Sequence, residues 1–564
     1  TALVAPNIAG AAGAVPFSGE DPATGTRTVT IADITDFHGH IEHGADVAAA
    51  FTLADSHNPD NMVPVSTGDL VGGSPYESAV KQDKPTLDMA KVWGLTVSAV
   101  GNHEFDRSVA DFNNRVAAPA NGIDWLCANV SSANKSATGK LSHVKDYTIR
   151  TVNGKRIGFV GALTDALGSV ATPQITEDAN LSERAVDALN RVAGELKRSG
   201  KVDAVVALLH ADASAATGLG RDVDLAYTGH THAVKQGVAD GGAPIYEAGS
   251  FGQNMAVQDL IITGHGRHAK VQVADVNLGN GTEATAVPGV LNVEGLDAHP
   301  RQAAWMSAGV VSNGSVARSR QLYTKAKDYA ASAGNAVIGT LAPGTNFDKR
   351  TSVGHEGSVG MLVADANRES IMRNVYAGTR LPVVGFSNNG SLRTKQLDMD
   401  EDGKVTIREV DSLMALQFHA AHETLTGLGL KAVLAQQFHR NDDGELEHRW
   451  LGISSNVRYR YVQCGDGGAT CTLGDSDGNG NQHTGVKATV GIVDLTIDGR
   501  PIADDDLVII ASNSYLLQGG DNYSAFRAGS NYGELEMSYN QPLHEYLAAH
   551  PKLSAAVPET GTRA

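Results

Sequence analysis

The chain has 564 residues, 41% of them hydrophobic, and a formal net charge of −18 at pH 7, so two or more domains with sizeable cores are expected. The acidic balance argues against general nucleic-acid binding, because a phosphate backbone would be repelled. No run of about 18 apolar residues occurs, so the sequence predicts no membrane-spanning helix.

The first half of the chain alternates buried strands with helices. Residues 1–26 are rich in Ala and Gly, begin with Thr1 and are typical of a processed, flexible N-terminus. Apolar runs then predict strands at 28–34, 62–66, 95–100, 156–163, 202–210 and 223–230. Apolar residues at helical spacing predict a helix over 181–200 that Gly200 ends. These elements predict a layered α/β domain over 27–300.

The pattern changes near residue 300. Residues 315–334 predict one long helix that ends at Gly334 and bridges two domains, within a linker over 301–335. A second domain with its own strands and helices is expected over 336–564.

Polar side chains follow five of the predicted strands at the point where each strand ends. They are Asp36 and His38, Asp69, Asn102 and His103, His210, and His230 and His232. Because ligands gather at the carboxyl ends of strands in layered α/β sheets, these side chains are expected to converge.

Imidazole, carboxylate and carboxamide groups without a thiolate suit divalent first-row metals. Any one of these histidines alone is more often a hydrogen-bonded surface residue, and the stretch 99–108 can also be a helix N-terminus capped by Asn102. The conjunction of all the clusters favours a metal site. A pair of ions that share one carboxylate needs about seven ligands, a number that these side chains can supply.

The segments "DFHGH", "GDLVGG", "GNHEFD", "LLHAD" and "GHTH" occur in this order in the first half of the chain. They resemble the successive motifs of the calcineurin-like metallophosphoesterases, and the second half resembles the C-terminal domain of the 5'-nucleotidase family. Together the two resemblances cover about residues 28–550. They imply a four-layer α/β/β/α metallophosphatase sandwich, a linker helix and an α+β substrate-binding domain.

The resemblance implies a ligand set for two divalent ions. One ion would be held by Asp36, His38 and His232, and the other by Asn102, His210 and His230, with Asp69 bridging. The ligands do not distinguish Zn, Mn, Co and Fe. The glycine before Asp69, Asn102 and His230 would let the backbone approach the ions.

The resemblance also implies a catalytic pair. Two cations lower the pKa of a bound water and polarise the phosphoryl oxygen that it attacks. His103 would not be a ligand but would stabilise the developing charge of the transition state, while Asp106 orients its ring and keeps it protonated. Glu104 and Phe105 are interpreted as spacer and packing residues.

The second domain offers groups that can bind a nucleoside. The segment "FSNNGSLR" (386–393) resembles the family's Asn-Gly-Gly-x-x-Arg loop, so Asn388 and Arg393 are expected to bind a ribose or phosphate. Phe418 and Tyr515 fall where the family has two rings that sandwich the base, and Asp521 would hold a ribose hydroxyl. The alternative for each ring is a core position.

One departure from the family affects phosphate binding. Where many relatives have an Arg, this chain has His355 in "GHEGSVGML". A phosphate contact would be lost or weakened there, and Arg350 is a candidate substitute. The preference among mono-, di- and cyclic phosphates therefore stays open.

The segment "DMDEDGKVTIRE" (398–409) has the spacing of a calcium loop. The candidate ligands are Asp398, Asp400, Asp402 and Glu409, with Gly403 at the sharp turn. The preceding "SLRTKQL" is not a convincing incoming helix, so a solvated hairpin turn is the alternative.

The chain has three cysteines, and Cys464 and Cys471 flank a Gly-rich segment. A close pair in a chain that begins with Thr1 predicts a disulfide and an exported protein that is periplasmic, secreted or at the cell surface. The alternative, a zinc site, lacks a second pair of ligands.

The sequence therefore predicts a metal-dependent hydrolase that converts nucleoside 5'-phosphates to nucleoside and phosphate. Alternatives within the enzyme class are a 2',3'-cyclic-nucleotide phosphodiesterase and a nucleotide-sugar or dinucleotide pyrophosphatase. The alternative outside it is a nucleotide- or calcium-binding surface protein. The expected partner is a small nucleotide rather than nucleic acid, and the sequence does not give the oligomeric state.

Overall fold

The computed structural model describes residues 25–278, 283–298, 314–349, 356–440, 445–463, 472–476, 482–487, 489–555 and 561–563. The chain divides into two compact units. The first contains Thr1–Leu167 and Gln174–Tyr329, and the second contains Gly168–Pro173 and Ala330–Ala564.

The strands of the first unit form two sheets. They are β1 Thr26–Ile34, β2 Met62–Ser66, β3 Val97–Ala99, β4 Asp124–Leu126, β5 Val144–Lys145, β6 Tyr147–Val152, β7 Lys155–Leu163, β8 Ala204–His210, β9 Leu225–Thr228, β10 Val234–Val238, β11 Pro244–Ala248, β12 Asn254–Thr263, β13 Lys270–Asp275, β14 Glu283–Ala284 and β15 Val290–Asn292. One sheet has the order β14-β15-β12-β1-β2-β3-β4-β5, with β13 also on β12, and the other has the order β10-β11-β9-β8-β7-β6.

Parallel pairing sets the direction of the strands that matter for the site. In the first sheet β1, β2 and β3 run parallel, and in the second β8, β9 and β11 run parallel. Their carboxyl ends therefore lie together at one edge of each sheet. This is the edge at which α/β sheets bind ligands.

The two sheets pack face to face and are covered by helices on their outer sides. Apolar side chains of both sheets form one core between them, for example Val29 and Val97 with Phe159 and Leu208. The α-helices described up to Gly334 are Gly44–His57, Tyr76–Ala79, Lys84–Trp93, Val109–Asp111, Leu167–Val170, Pro173–Ala179, Ala185–Arg198 and Ser315–Gly334. Of these, Leu167–Val170 belongs largely to the second unit and Ser315–Gly334 ends in it. Gly44–His57 packs on the first sheet and Ala185–Arg198 on the second. The predicted four-layer sandwich is confirmed.

The predicted elements are found with small shifts at their ends. All six predicted strands of this unit are present, and the long helix predicted over 315–334 is Ser315–Gly334. The helix predicted over 181–200 begins only at Ala185. Its first N–H, that of Ala185, donates to Oδ1 of Asp165 at 2.8 Å, so a side chain distant in sequence accepts from the first turn of the helix.

The second unit is an α+β arrangement. Its strands are β16 Val337–Thr340, β17 Val383–Ser387, β18 Lys404–Thr406, β19 His419–Thr426, β20 Phe438–Arg440, β21 Leu446–His448, β22 Gly452–Ile453, β23 Val457–Gln463, β24 Thr472–Ser476, β25 Gln482–Lys487, β26 Val490–Ile497, β27 Arg500–Pro501, β28 Leu507–Asn513, β29 Ser530–Ser538 and β30 Gly561–Arg563. Its main helices are Ser358–Asn374, Ile407–Leu413, Gly427–Ala435, Ser514–Leu517 and Gln541–Ala549.

The main sheet of this unit has the order β22-β17-β28-β19-β29. The helix Ser358–Asn374 packs against β17 and β28. Because β17 and β28 are parallel, the loops that follow them, with Asn388 after one and Tyr515 after the other, lie at the same end of the sheet. Among the described helices, none combines the length and the apolar character needed to cross a bilayer.

Candidate metal centre and nucleoside-binding residues

The candidate metal ligands of the first unit stand at the carboxyl ends of strands from both of its sheets. Asp36 and His38 follow β1, Asp69 follows β2, Asn102 follows β3, His210 ends β8, and His230 and His232 follow β9. Five of these seven residues have a positive φ, between 47° and 75°. Such backbone is unfavourable for residues other than glycine and is concentrated at functional sites, so the clustering favours a binding site over ordinary turns.

One group of ligand atoms is formed by Asp36, His38 and His232. Nε2 of His232 lies 3.2 Å from Nε2 of His38 and 3.4 Å from Oδ1 of Asp36. The three side chains place one ligand atom each within 4.8 Å of the others. This spacing is compatible with a single cation between them.

A second group is formed by Asp69, His210 and His230. Oδ1 of Asn102 joins it, 3.2 Å from Nε2 of His210. Oδ2 of Asp69 lies 3.1 Å from Nε2 of His210 and 3.5 Å from Nε2 of His38. The carboxylate of Asp69 therefore faces both groups.

The hydrogen bonds of the histidines fix where their lone pairs point. Nδ1 of His38 donates to the carbonyl of Gly72 at 2.7 Å, and Nδ1 of His210 donates to the carbonyl of Thr67 at 2.8 Å. Since a carbonyl can only accept, Nδ1 carries a proton in both rings, and Nε2 is the nitrogen left to bind a metal, as in metal-binding histidines.

The surroundings of one carboxylate oxygen also favour metal binding. Oδ1 of Asp36 is buried and has no hydrogen-bond partner among the described residues, although two imidazole Nε2 atoms lie within 4 Å of it. A buried carboxylate oxygen surrounded by imidazole nitrogens is a donor set that a divalent cation accepts. The residues present therefore fit a divalent metal.

The charges of this cluster are strongly coupled. Burial raises the pKa of Asp69, but the neighbouring charges of His210 and His103 outweigh it and hold that pKa well below its usual value. Burial lowers the pKa of His210, but Asp69 and Asp36 raise it to about 10. A divalent cation would take the place of that proton, so metal binding is expected to release protons.

The glycines next to the ligands permit a close approach of side chains. A Cβ at Gly101 would lie 2.2 Å from Oδ1 of Asp69, and a Cβ at Gly229 would lie 2.8 Å from Oδ2 of Asp36. Both distances are shorter than a van der Waals contact. These glycines are therefore needed to bring the carboxylates to the site, which is a more specific role than the sequence predicted.

Glu104 was interpreted as a spacer, and this was wrong. Its carboxylate is buried and accepts N–H bonds from Gly101 at 2.5 Å, Asp69 at 2.9 Å and Val71 at 3.2 Å. It thereby joins the loop that carries Asp69 to the loop that carries Asn102. Burial and the charge of Asp69 raise its pKa to about 8. No pattern in the sequence signals this role, because the donors are backbone groups, two of them on another loop.

His103 and Asp106 lie at the edge of the cluster. Nδ1 of His103 is 2.9 Å from Oδ2 and 3.0 Å from Oδ1 of Asp106, and its side chain is 19% exposed. The backbone N–H of His103 donates to Oδ1 of Asp69 at 2.8 Å. A ring nitrogen of His103 also lies within 4.8 Å of ligand atoms of His38 and Asp69, so distance alone permits it to bind a metal.

The predicted nucleoside-binding residues of the second unit form a connected network. Nδ2 of Asn388 donates to Oδ2 of Asp521 at 2.6 Å, and the hydroxyl of Tyr515 lies 2.9 Å from Oδ1 of Asp521. Asp521 has a φ of 53°. Both carboxylate oxygens of Asp521 are therefore held by Asn388 and Tyr515, which the sequence also predicted to bind a nucleoside.

The two aromatic rings lie directly on each other. The ring centroids of Phe418 and Tyr515 are 5.0 Å apart with an interplanar angle of 12°. Tyr539 packs on Phe418 at 5.4 Å, and Phe418 is also packed against an apolar core. A base between the rings needs contacts of about 3.5 Å on each side, so the rings have to separate by roughly 2 Å to enclose one.

Two cations lie close together near this network. Nζ of Lys349 donates to the carbonyl of Leu392 at 2.6 Å. Burial and the charge of neighbouring Arg393 lower the pKa of Lys349. Lys349 was not recognised in the sequence, where the adjacent Arg350 was considered instead. Arg350 and His355 lie outside the described residues.

The calcium hypothesis for residues 398–409 finds little support. Glu409 caps the helix that begins at Ile407: it accepts the N–H of Thr406 at 2.9 Å and that of Met399 at 2.8 Å. Oδ1 of Asp398 is buried without a partner among the described residues. However, these acidic residues are not among the described groups whose ligand atoms gather within 4.8 Å.

The predicted disulfide and the predicted N-terminal segment lie outside the described residues, since these include neither Cys464 and Cys471 nor residues 1–24. The third cysteine, Cys127, is buried and has a free thiol, and burial raises its pKa to about 12. It is therefore an inert core residue.

Comparison with known proteins gives matches to a family profile, to single protein sequences and to solved structures. The family profile of the 5'-nucleotidase C-terminal domain matches residues 337–528. Cell wall protein Lmo0130 of Listeria monocytogenes is 24% identical over 91% of this chain and 66% of its own length. Endonuclease YhcR of Bacillus subtilis is 28% identical over 38% of this chain and 19% of its own length.

Solved structures of other proteins resemble this chain in their fold. A 5'-nucleotidase precursor from Thermus thermophilus superposes with a TM-score of 0.63 at 16% identity, over 95% of this chain and 99% of the other. Among the curated relatives, the chain spans about two thirds of Lmo0130 and a much smaller part of YhcR.

Proposed function

We propose that the chain, whose residues 337–528 match the profile of the 5'-nucleotidase C-terminal domain, belongs to the 5'-nucleotidase family and hydrolyses nucleoside 5'-phosphates to nucleoside and inorganic phosphate. The observation that carries the proposal is the convergence of seven polar side chains at the carboxyl ends of strands, with the unpartnered Oδ1 of Asp36 among them. A buried carboxylate oxygen with imidazole nitrogens around it is a donor set that suits a divalent cation.

We assign the seven side chains to two divalent ions. Asp36, His38 and His232 would hold one ion, Asn102, His210 and His230 the other, and Asp69 both. Bound there, the ions would supply a nucleophile from water near neutral pH and polarise the phosphoryl group. The donor set does not choose among Zn, Mn, Co and Fe.

His103 and Asp106 would act on the transition state. The ring of His103 is held through Nδ1 by the Asp106 carboxylate, so its Nε2 would donate to a phosphoryl oxygen as negative charge develops there. Such a donor accelerates the reaction because it binds the transition state more strongly than the substrate.

The second unit would bind the nucleoside. Asp521, held by Asn388 and Tyr515, offers carboxylate oxygens to ribose hydroxyls. Lys349 and Arg393 offer positive charge to a phosphate or to ribose oxygens. The rings of Phe418 and Tyr515 would stack on the base after they separate, or the base would stack on the outer face of one of them.

Two alternative activities differ from the proposed one in the kind of phosphate ester that is hydrolysed. A 2',3'-cyclic-nucleotide phosphodiesterase or a nucleotide-sugar or dinucleotide pyrophosphatase would use the same centre, and the replacement of a family Arg by His355 leaves room for these substrates. Hydrolysis of nucleic acid is disfavoured by the net charge of −18. A binding protein without turnover would not need both the ligand set and the His103–Asp106 pair.

The aromatic pair provides the test of the substrate class. We expect the Phe418→Ala/Tyr515→Ala double variant to lose on the order of 10-fold or more in kcat/KM for AMP, since stacking contributes roughly 1–3 kcal/mol per base. Hydrolysis of p-nitrophenyl phosphate, which has no nucleobase, should change much less. The measurement is kcat/KM for both substrates with the same metal content.

Tyr532→Ala is the matched control, because Tyr532 is an exposed ring of the same unit outside the proposed site. It should leave both substrates unchanged. If the double variant lost the same factor on both substrates, the rings would be core residues and the nucleoside-binding site would have to lie elsewhere.

We also propose that the protein is exported and that Cys464 and Cys471 form a disulfide. Support comes from the spacing of the two cysteines and from the name of the cell wall relative Lmo0130. Peptide mass mapping without reduction is expected to find the two cysteines linked, and two free thiols in freshly exported protein would remove the proposal.

A further inference from the structure

Phe251 has an unusual backbone conformation for its residue type. Its φ is 60°, in the left-handed region. Eighteen residues other than glycine have positive φ in the part of the chain that the structure describes, and Phe251 is the only one among them with an apolar side chain. Asp, Asn and His reach this region more readily, whereas for a bulky side chain it is a genuine outlier. Turn chemistry therefore does not explain a phenylalanine here.

Phe251 lies where the proposed metal ligands lie. It follows β11, which is parallel to β9, the strand that leads to His230 and His232. Its N–H donates to the carbonyl of Asp36 at 2.8 Å. The strained residue is thus joined through its backbone to one ligand of the first ion and stands beside the strand that carries another.

The ring of Phe251 packs on imidazoles. Its centroid is 5.1 Å from that of His232 at an interplanar angle of 77°, and 6.0 Å from that of His38 at 62°. The ring of His40 covers it at 4.0 Å. Two proposed ligands of the same ion therefore share one aromatic neighbour in edge-to-face contact, a favourable arrangement for aromatic pairs.

His232 differs from the other ligands in how it is oriented. His38 and His210 are fixed by Nδ1 bonds to the carbonyls of Gly72 and Thr67. The described residues supply no hydrogen bond to Nδ1 of His232, whose Nε2 faces His38 and Asp36. Its side chain is also 32% exposed, and the rings described against it are those of Phe251 and His38, each at 5.1 Å.

We propose that Phe251 is a positioning residue for the metal centre, which orients the imidazole of His232, and to a smaller degree that of His38, toward the ion shared with Asp36. The inference rests on the metal ligation in the proposed function but not on the identity of the substrate. Strained backbone of this kind persists where the surrounding structure fixes it, and it is concentrated at functional sites. Groups that orient metal ligands typically change metal affinity by 10- to 100-fold when they are removed.

The test compares Phe251→Asn with Phe251→Tyr. Asparagine accepts the left-handed backbone but removes the ring, whereas tyrosine keeps the ring. We expect Phe251→Asn to weaken the more weakly held of two Mn²⁺ equivalents by roughly 10- to 100-fold in a titration of metal-free protein. Phe251→Tyr should bind Mn²⁺ like the parent chain. The melting temperature of metal-free Phe251→Asn should stay within a few degrees of the parent value, because the backbone strain is relieved.

Three outcomes are distinguishable. Unchanged Mn²⁺ affinity in Phe251→Asn would overturn the proposal, and so would a large fall in melting temperature with unchanged affinity, which would make Phe251 an ordinary core residue. A selective loss of Mn²⁺ affinity together with an absence of nucleotide hydrolysis by the parent chain would support the positioning role while the proposed substrate class failed.

Discussion

Replacing Asp69 by asparagine is expected to lower kcat/KM for AMP by on the order of 10³-fold or more, equivalent to about 4 kcal/mol of transition-state stabilisation. Oδ2 of Asp69 lies 3.1 Å from Nε2 of His210 and 3.5 Å from Nε2 of His38, so it is the carboxylate that faces both groups of ligands. Asparagine has the same shape but no charge. Both ions should therefore be held more weakly, and the variant should contain less than one ion per chain after dialysis.

Asp212→Asn is the matched control. Asp212 also follows β8, close in sequence to His210, but its carboxylate pairs with Lys235 at the surface. This control should keep its metal and its activity. If Asp69→Asn retained two ions and full turnover after exhaustive dialysis, the shared-carboxylate assignment would be wrong.

The second large effect is expected for His103→Asn. Turnover should fall by roughly 10²- to 10⁴-fold, the range for loss of a donor that acts on the transition state. The metal content should stay near that of the parent chain, and KM should change little. Metal analysis beside steady-state kinetics measures all three quantities.

The variant His103→Asn distinguishes a catalytic role of His103 from a role as metal ligand, both of which its position allows. A ring nitrogen of His103 comes within 4.8 Å of ligand atoms of His38 and Asp69, whereas its Nδ1 is bonded to Asp106. Loss of one ion from His103→Asn would make the residue a ligand. Retention of both ions with a large fall in turnover would place it in the catalytic pair.

Much of the first unit was predictable because each functional cluster directly follows a buried strand. The apolar runs before Asp36, Asp69 and His210 predict strands, and the carboxyl ends of parallel strands meet at one edge. Residues far apart in sequence were thus expected together before any distance was known. The ligand set itself came from a resemblance of motifs rather than from spacing.

Contacts that depend on backbone groups of other loops were not predictable. Glu104 binds three N–H groups from two loops, and nothing in "GNHEFD" distinguishes that role from a spacer. Phe251 sits in a Gly-rich segment whose left-handed backbone a pattern of residue types does not reveal. Likewise, the stacking of Phe418 directly on Tyr515 depends on side-chain packing that family resemblance cannot specify.

The central claim is that a pair of divalent ions on these seven side chains hydrolyses a nucleotide. The most direct measurement is phosphate release from AMP by metal-free protein titrated with Mn²⁺, with the bound metal counted at each point. The account predicts no activity without metal and a rise that levels off at two ions per chain. Full activity of the metal-free protein, or none on AMP at any metal content, would contradict it.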